Sequence, residues 1–253
     1  MVGIYFSGTG NSKYCIERFM KEYGTGIQIF SIEDEDALAH IKDSDEIVIS
    51  YPVYFSNIPK ILRDYVIRNG SLWQGKKIFV IATMGLFSGD GAGMLARLLQ
   101  KYGAVITGGL HLQMPDCICD EKVLKHSPEK NVQLIQKTGR KICKAVRKIE
   151  QENPPQEGLG ILSRMAGFFG QRLYFSQKTK NYTDKLKIDH EKCIGCGLCV
   201  SLCPMHNISM ENGTAAAKGQ CTMCYRCVNK CPRQAITLLG KKVIVQYDIS
   251  QNL

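Results

Sequence analysis

Eight of the twelve cysteines fall in two identical runs in the last quarter of the chain. Each run has the form C-x2-C-x2-C-x3-C-P, first from Cys193 to Pro204 and then from Cys221 to Pro232. Three evenly spaced cysteines on one tight loop can reach three corners of a cubane, and the fourth ligand must come from elsewhere. The spacing is therefore typical of [4Fe–4S] ligation. Zinc sites with four cysteines usually use two pairs separated by a longer spacer, so zinc fits this pattern poorly.

The region that contains the runs, residues 187–240, resembles the two-[4Fe–4S] ferredoxins. The segment CIGCGLCVSLCPMHNI aligns without gaps with CTMCYRCVNKCPRQAI, which starts 28 residues later in the chain, and this repeat predicts two halves related by pseudo-two-fold symmetry. In such ferredoxins the fourth cysteine of each run binds the other cluster. The resemblance therefore implies one cluster on Cys193, Cys196, Cys199 and Cys231, and a second cluster on Cys221, Cys224, Cys227 and Cys203.

Two glycines lie between the cysteines of the first run. Gly195 and Gly197 are expected to let backbone N–H groups approach the cluster sulfurs closely. The pair Asn212-Gly213 predicts a hairpin turn shortly after the run.

A second stretch that could do chemistry lies at the other end of the chain, where SGTGNS spans Ser7 to Ser12. Two glycines permit a tight turn with uncovered backbone N–H groups, and the other residues add neutral hydroxyl and amide donors. Since the stretch opens a predicted helix, it forms an anion nest suited to a phosphate. Thr9 replaces the lysine of a Walker A loop, and Lys13 replaces the third glycine of a dinucleotide fingerprint, so neither of those motifs is met.

The elements that must position this loop alternate regularly over the first 150 residues. Short apolar runs predict strands at 2–7, 27–32, 46–51, 77–84 and 104–112, and helical patterns fall near 11–22, 34–42, 58–69, 91–102 and 128–150. This alternation predicts an α/β fold with a doubly wound, five-stranded parallel sheet of order 2-1-3-4-5. A small α+β domain with the cysteine runs follows it.

The loop SGTGNS, placed at the first β–α turn of such a sheet, resembles the FMN phosphate loop of flavodoxins. The resemblance implies FMN as a cofactor, with its phosphate held by Ser7, Gly8, Thr9, Gly10, Asn11 and Ser12. It also implies that the flavin ring lies between the loops after strands three and four. The candidate ring contacts are Tyr51, Pro52, Val53, Tyr54 and Phe55 in the first of these loops, and Thr83, Met84, Gly85, Phe87 and Gly89 in the second.

The sequence divides into three segments. We expect a flavodoxin-like domain at residues 1–150, a linker at 151–185 that begins with two prolines and two glycines, and the ferredoxin domain with a C-terminal tail at 186–253. Apolar residues at helical spacing predict an amphipathic helix at 160–175. We expect it to be buried between the two domains; attachment to a membrane surface is the alternative.

Four cysteines lie outside the runs. Cys15 and Cys143 fall in predicted helices and are expected to be buried and inert. Cys117 and Cys119 follow strand five, and we expect this loop to contact the ferredoxin domain. The chain shows no secretory signal and no apolar stretch of membrane-spanning length, which predicts a cytoplasmic protein in which cysteines bind metal rather than form disulfides.

The whole chain resembles flavodoxin–ferredoxin fusion proteins of anaerobes, which implies electron transfer between two [4Fe–4S] clusters and FMN. Two alternatives are an FMN-dependent reductase of a small molecule such as a quinone, and a cluster-based sensor without flavin. The formal net charge of +10 would be offset only in part by clusters and phosphate. A basic redox protein is expected to favour acidic protein partners. Nucleic-acid binding is not expected, because the basic residues form no stripe.

Overall fold

Five parallel strands form the central sheet of the first domain. A computed structural model describes residues 1–24, 26–86, 89–122, 125–167 and 185–253. The strands are β1 (Val2–Tyr5), β2 (Ile29–Ser31), β3 (Glu46–Pro52), β4 (Lys77–Met84) and β5 (Val105–Gln113). All neighbouring strands run parallel, in the order β2-β1-β3-β4-β5. The predicted fold class and strand order are therefore confirmed.

Helices cover both faces of this sheet, as a doubly wound fold requires. They are α1 (Asn11–Tyr23), α2 (Ala37–Asp43), α3 (Lys60–Arg68), α4 (Gly91–Gln100) and α5 (Pro128–Glu150). Helices α2, α3 and α4 pack on one face, where Ile49 is buried, and α1 and α5 pack on the other, where Val48 is buried. Because both faces of each central strand are covered, the strands read as continuous apolar runs.

The start of the linker belongs to the first domain. Residues 154–157 run beside β5, where Gly109 N–H donates to the Pro155 carbonyl and Glu157 N–H donates to the Gly109 carbonyl. The chain then enters α6 (Ile161–Gly167). Ile161 and Leu162 are 79% and 83% exposed, so burial between the domains is wrong for this part of the predicted helix. Met165 is exposed as well, and the apolar positions Phe168, Phe169 and Leu173 lie outside the described residues. No helix in the described ranges is long and apolar enough to cross a membrane.

The second domain repeats one small unit. Strand β6 (Lys187–Ile188) pairs with β9 (Ile236–Thr237), and β7 (Ile208–Glu211) pairs with β8 (Thr214–Ala217). The predicted Asn212-Gly213 turn joins the second pair, and both of its residues have positive φ. The short helices α7 (Leu198–Leu202) and α8 (Arg226–Lys230) occupy equivalent positions in the two repeats.

Two segments pass from one domain into the core of the other. The loop after β5 places Cys119, which is fully buried, in the apolar core of the second domain. In return, the C-terminal tail places Tyr247 and Ile249 in the core beneath α1 and α5. The predicted contact between the loop of Cys117 and Cys119 and the ferredoxin domain is thus present, and it is a shared core rather than a surface contact.

Candidate cofactor sites

A cleft opens at the carboxyl ends of the sheet strands, where β1 and β3 lie side by side although they are not consecutive. Open α/β sheets bind ligands at such a point. The cavity volume of this cleft is about 70 Å³. Twelve of its lining residues were predicted from the sequence: Ser7, Gly8, Thr9, Asn11, Ser12, Pro52, Val53, Tyr54, Phe55, Thr83, Met84 and Gly85.

The phosphate loop forms one end of the cleft. Gly10 precedes α1 with φ of 93°, and the first turn of this helix carries neither an acidic residue nor a side-chain cap. The helix dipole therefore acts on the cleft without competition from a carboxylate in the first turn of α1. The hydroxyl groups of Ser12 and Thr83 lie 2.7 Å apart and tie the loop to the end of β4. Neutral donors at a helix N-terminus suit the phosphate of FMN.

The Asn11 side chain supports the loop. Its Nδ2 donates to the Pro115 carbonyl at 2.8 Å, and its Oδ1 accepts from the Tyr247 hydroxyl at 2.7 Å. Asn11 thus joins the phosphate loop to the loop after β5 and to the C-terminal tail. Because an amide nitrogen carries two hydrogens and Asn11 also lines the cleft, the expected contact of this residue with a phosphate stays a prediction.

The two loop glycines are required for close approach as well as for turning. A Cβ atom at Gly8 would lie 2.2 Å from the Cys224 carbonyl oxygen, and one at Gly10 would lie 2.4 Å from a methyl carbon of Ile249. The second domain and the C-terminal tail are thus in direct contact with the phosphate loop. Gly10 lines no part of the cleft surface itself.

The predicted ring contacts divide into two groups. The segments 52–55 and 83–85 line the cleft. Tyr51 does not, because it is fully buried in the core and its hydroxyl donates to the Gly91 carbonyl. Gly89 packs instead against Gly167 of α6. Phe87 lies outside the described residues.

Tyr54 and Phe55 supply aromatic surface to the cleft from the loop after β3. The Tyr54 hydroxyl lies beside Gly8, and burial raises the pKa of Tyr54 well above its usual value. Phe55 has φ of 49°, in the left-handed region that non-glycine residues rarely adopt. Aromatic faces beside a flat ring system favour stacking.

Seven lining residues were not predicted from the sequence: Met114, Pro115, Asp116, Cys117, Ile118, Met223 and Tyr225. The first five follow β5, and the rule that ligands bind at the carboxyl ends of strands would have found them. Met223 and Tyr225 come from the second cysteine run. No single-domain pattern could place them, because they reach the cleft only when the two domains pack together.

The first set of four thiols lines a single cavity. Cys193, Cys196 and Cys199 are joined there by Cys231 from the second run, in agreement with the crossed ligation that the ferredoxin resemblance implies. Cys196 is exposed, and so are the neighbouring side chains of Ile194 and Leu198. Among the described residues, no group of three or more His, Cys, Asp or Glu side chains is arranged closely enough to hold a single metal ion. The four thiols of this set line a cavity instead.

The second set is more deeply buried. Cys221, Cys224 and Cys227 are less than 10% exposed. The pKa of Cys221 is raised to about 12, chiefly by burial and to a smaller extent by the neighbouring thiols of Cys224 and Cys203. Thiolates at such positions need a positive partner, which a bound metal centre supplies.

Backbone groups point at the crossing ligands in the same way in the two halves. Asn207 N–H lies 3.3 Å from Cys203 Sγ, and Ala235 N–H lies 3.3 Å from Cys231 Sγ. Asn207 Nδ2 is buried and has no hydrogen-bond partner in the described part of the chain. An acceptor such as a cluster sulfur would satisfy it. The donor chemistry around these cysteines therefore fits an iron–sulfur cluster.

Arg226 links the second cysteine run to the first domain. It pairs with Glu33 at 2.7 Å and also donates to the Ser7 carbonyl of the phosphate loop at 2.9 Å. Asn229 lies in α8, two residues after Cys227. Its side chain donates to the Cys117 carbonyl at 2.9 Å and accepts from Tyr247 N–H at 2.7 Å. The position of the second thiol set relative to the cleft is therefore fixed by direct hydrogen bonds.

Comparison with known proteins identifies the same two parts. The chain matches the model of the Flavodoxin domain over residues 3–117 and that of the 4Fe-4S dicluster domain over residues 176–236. The ferredoxin of Methanothermococcus thermolithotrophicus is 42% identical over 55 residues, which make up 20% of this chain and 92% of that protein. The putative oxidoreductase UacF of Escherichia coli is 32% identical over 76 residues, 27% of this chain but only 11% of UacF. The chain thus spans about a tenth of that relative.

Among solved structures, the two-electron reduced flavodoxin of Megasphaera elsdenii aligns with 57% of this chain and 100% of its own, at 21% identity and a TM-score of 0.41. The fold and its two sites define a class of flavin-binding and iron–sulfur redox proteins. More particularly, this chain belongs to the dicluster ferredoxins through its C-terminal domain and carries a flavodoxin domain in front of it.

Proposed function

We propose that this protein passes electrons between two [4Fe–4S] clusters and a bound FMN, and so links one-electron carriers to an acceptor that the flavin reduces. One observation carries the proposal: a single cleft is lined by the phosphate loop, by the loops after β3 and β4, and by Met223 and Tyr225 from between the cysteines of the second run. Flavin, when bound, exchanges one or two electrons, whereas a cubane exchanges one, so their union converts between the two kinds of carrier.

The residues of the chain hold and orient these groups. The phosphate loop and the α1 N-terminus would bind the phosphate, and segments 52–55 and 83–85 would enclose the ring. The two thiol sets would each hold one cluster. Arg226, Asn229 and the buried loop after β5 keep the second thiol set against the cleft, which fixes the distance over which an electron must move.

The test is anaerobic reconstitution followed by stepwise reduction, with optical detection of flavin and paramagnetic detection of clusters. We expect iron and sulfide for two clusters, one FMN for each chain, and exchange of electrons between them. Cys199→Ser should remove one cluster signal, whereas Cys143→Ser, which lies outside the runs, should leave both. A protein whose clusters and flavin are reduced independently, without exchange, would refute the proposal.

A second candidate function is reduction of a small molecule at the flavin. An open groove adjoins the cleft at Met84 and combines apolar Leu86 and Leu134 with the basic side chains of Lys137 and Lys141. Such a lining suits a flat anionic or quinone-like acceptor. Saturation of the steady-state rate by one acceptor, and loss of that saturation in Lys137→Ala, would favour this enzyme function over a carrier function.

We also propose an acidic redox protein as the partner. The chain has a formal net charge of +10, and long-range attraction between opposite charges accelerates docking. Raising the salt concentration should slow electron exchange with an acidic carrier such as a small flavodoxin or ferredoxin. Exchange that does not depend on ionic strength would rule out electrostatic docking.

A further inference from the structure

The two cysteine runs differ at two positions that have the same unusual backbone. Gly195 and Gly197 in the first run have φ of 66° and 72°. Their equivalents in the second run are Met223 and Tyr225, with φ of 60° and 59°. Glycine adopts this conformation freely, whereas other residues are strained by it. The second run therefore carries two side chains at places where the loop geometry favours none.

The environments of these positions differ between the two runs. A Cβ at Gly195 would lie 2.3 Å from the Gly213 carbonyl oxygen, and Gly197 faces open space. Met223 and Tyr225 instead reach the cleft beside the phosphate loop. The Tyr225 hydroxyl donates to Asp120 at 3.0 Å, so this ring is held in place from the far side.

Backbone strain that persists beside a ligand cleft points to a functional requirement. We propose that Met223 and Tyr225 are positioning residues for the flavin, and that the cluster of Cys221, Cys224, Cys227 and Cys203 is the one adjacent to it. The cluster of Cys193, Cys196, Cys199 and Cys231 is then the outer one, which exchanges electrons with a one-electron carrier protein. In each exchange one group loses the single electron that its neighbour gains. This inference rests on the proposed function.

The difference in burial of the two thiol sets supports this order. Cys196 and its neighbour Ile194 are exposed, the latter by 61%, whereas the cysteines that flank Met223 are buried, and Cys224 packs in the core of the first domain. The Cys224 carbonyl lies against Gly8 of the phosphate loop. One thiol set thus has a solvent-exposed member, Cys196, where a protein partner can dock, and the other set alternates in sequence with two residues that line the cleft.

The first test measures FMN affinity by quenching of flavin fluorescence, using cluster-loaded full-length protein from which flavin has been removed. Met223→Gly relieves the positive φ, so the loop is expected to fold normally, yet it removes the side chain from the cleft. We expect about tenfold weaker FMN binding and recovery of most of the affinity in Met223→Leu. The matched control is Met210→Ala, which alters a methionine beside the other thiol set. It should bind FMN as the native protein does.

The second test measures the reduction potential of each cluster by paramagnetic detection, with and without FMN. Each cluster is assigned by the variant that perturbs its signal, Met223→Gly for the inner cluster and Met210→Ala for the outer one. Addition of FMN should shift the potential of the inner cluster and leave that of the outer cluster unchanged. Native-like FMN affinity in Met223→Gly, or a shift of the outer cluster alone, would overturn the inference while leaving the proposed function intact. Failure of the native protein to bind FMN would overturn the proposed function and this inference with it.

Discussion

At the scale of single residues, Asp120 makes four hydrogen bonds to the second domain. It belongs to the loop after β5 and is 3% exposed. Its Oδ2 accepts from the N–H groups of Leu238, Leu239 and Gly240, and its Oδ1 accepts from the Tyr225 hydroxyl. One carboxylate thus completes a turn of the second domain and holds a residue of the cleft.

Replacement of Asp120 by alanine should destabilise the protein strongly, because the buried N–H of Leu238, the partly buried N–H groups of Leu239 and Gly240, and the buried Tyr225 hydroxyl lose their acceptor. A cost on the order of 3 kcal/mol is expected, which corresponds to an apparent Tm lower by about 10 °C. Anaerobic thermal unfolding followed by cluster absorbance measures it. Glu35→Ala, an exposed acidic residue of the same domain, should leave Tm unchanged. Equal stability of the two variants would contradict this account.

Gly8 offers a second prediction at this scale. Its backbone needs no special φ, but a methyl group there would collide with the Cys224 carbonyl oxygen. Gly8→Ala should therefore separate the phosphate loop from the second cysteine run, lowering the apparent Tm by several degrees and weakening FMN binding about tenfold. Gly160→Ala is the matched control, since a Cβ there meets no atom within 4 Å. Identical behaviour of the two variants would show that the contact is dispensable.

At the scale of elements, the sequence was sufficient where a pattern is local. The buried strands, the helices between them and the repeated cysteine frame each follow from short-range periodicity, and each is found where it was predicted. Tyr51 was expected at the flavin ring but lies in the core, because a side chain near the end of a strand can point either to the cleft or to the core, and the Tyr51 hydroxyl donates to the Gly91 carbonyl in the core. The expected burial of helix α6 was wrong for its first turn, because an amphipathic pattern predicts an apolar face but does not specify what covers that face.

Strand β5 supports the start of α4 through a histidine. His111 Nε2 accepts from Ala92 N–H at 3.0 Å, and burial lowers the pKa of His111 below its usual value. Glu157 and Asp90 raise this pKa and Lys141 lowers it, so burial outweighs the nearby carboxylates. The contact between β5 and the start of α4 thus requires a neutral imidazole, because only an unprotonated Nε2 can accept this hydrogen bond.

Acidification should therefore weaken this junction. The unfolded chain takes up a proton on this residue near pH 6.5, whereas the folded chain resists it until a lower pH. The free energy of unfolding should fall as the pH decreases from 6.5 towards the folded-state pKa. His111→Gln keeps an acceptor but cannot titrate, so its Tm should depend less on pH over this range than that of the native protein. His190→Gln, an exposed histidine, should retain the native slope; a native slope in His111→Gln would contradict the assignment.

At the scale of the whole molecule, the two domains share their cores. The loop after β5 enters the second domain at Cys119, and the C-terminal tail returns to the first domain at Tyr247 and Ile249. No periodicity could have revealed this, because each crossing segment is short and its apolar residues resemble those of any loop. It is nevertheless the arrangement that places Met223 and Tyr225 in the cleft.

This reciprocal exchange means that the covalent linker is not what keeps the domains together. A protease site introduced after Glu152, just beyond α5, should be cut without releasing either half, because each fragment would retain a piece of the core of the other. The nicked protein should elute as a single particle in size-exclusion chromatography and keep its cluster absorbance, and it should separate only in denaturant. Fragments that dissociate at once in native buffer would show that the two crossing segments do not hold the domains together. If the fragments stay together, the geometry between flavin and cluster is kept after the backbone is cut. The two domains then act as one redox unit that does not depend on an intact chain.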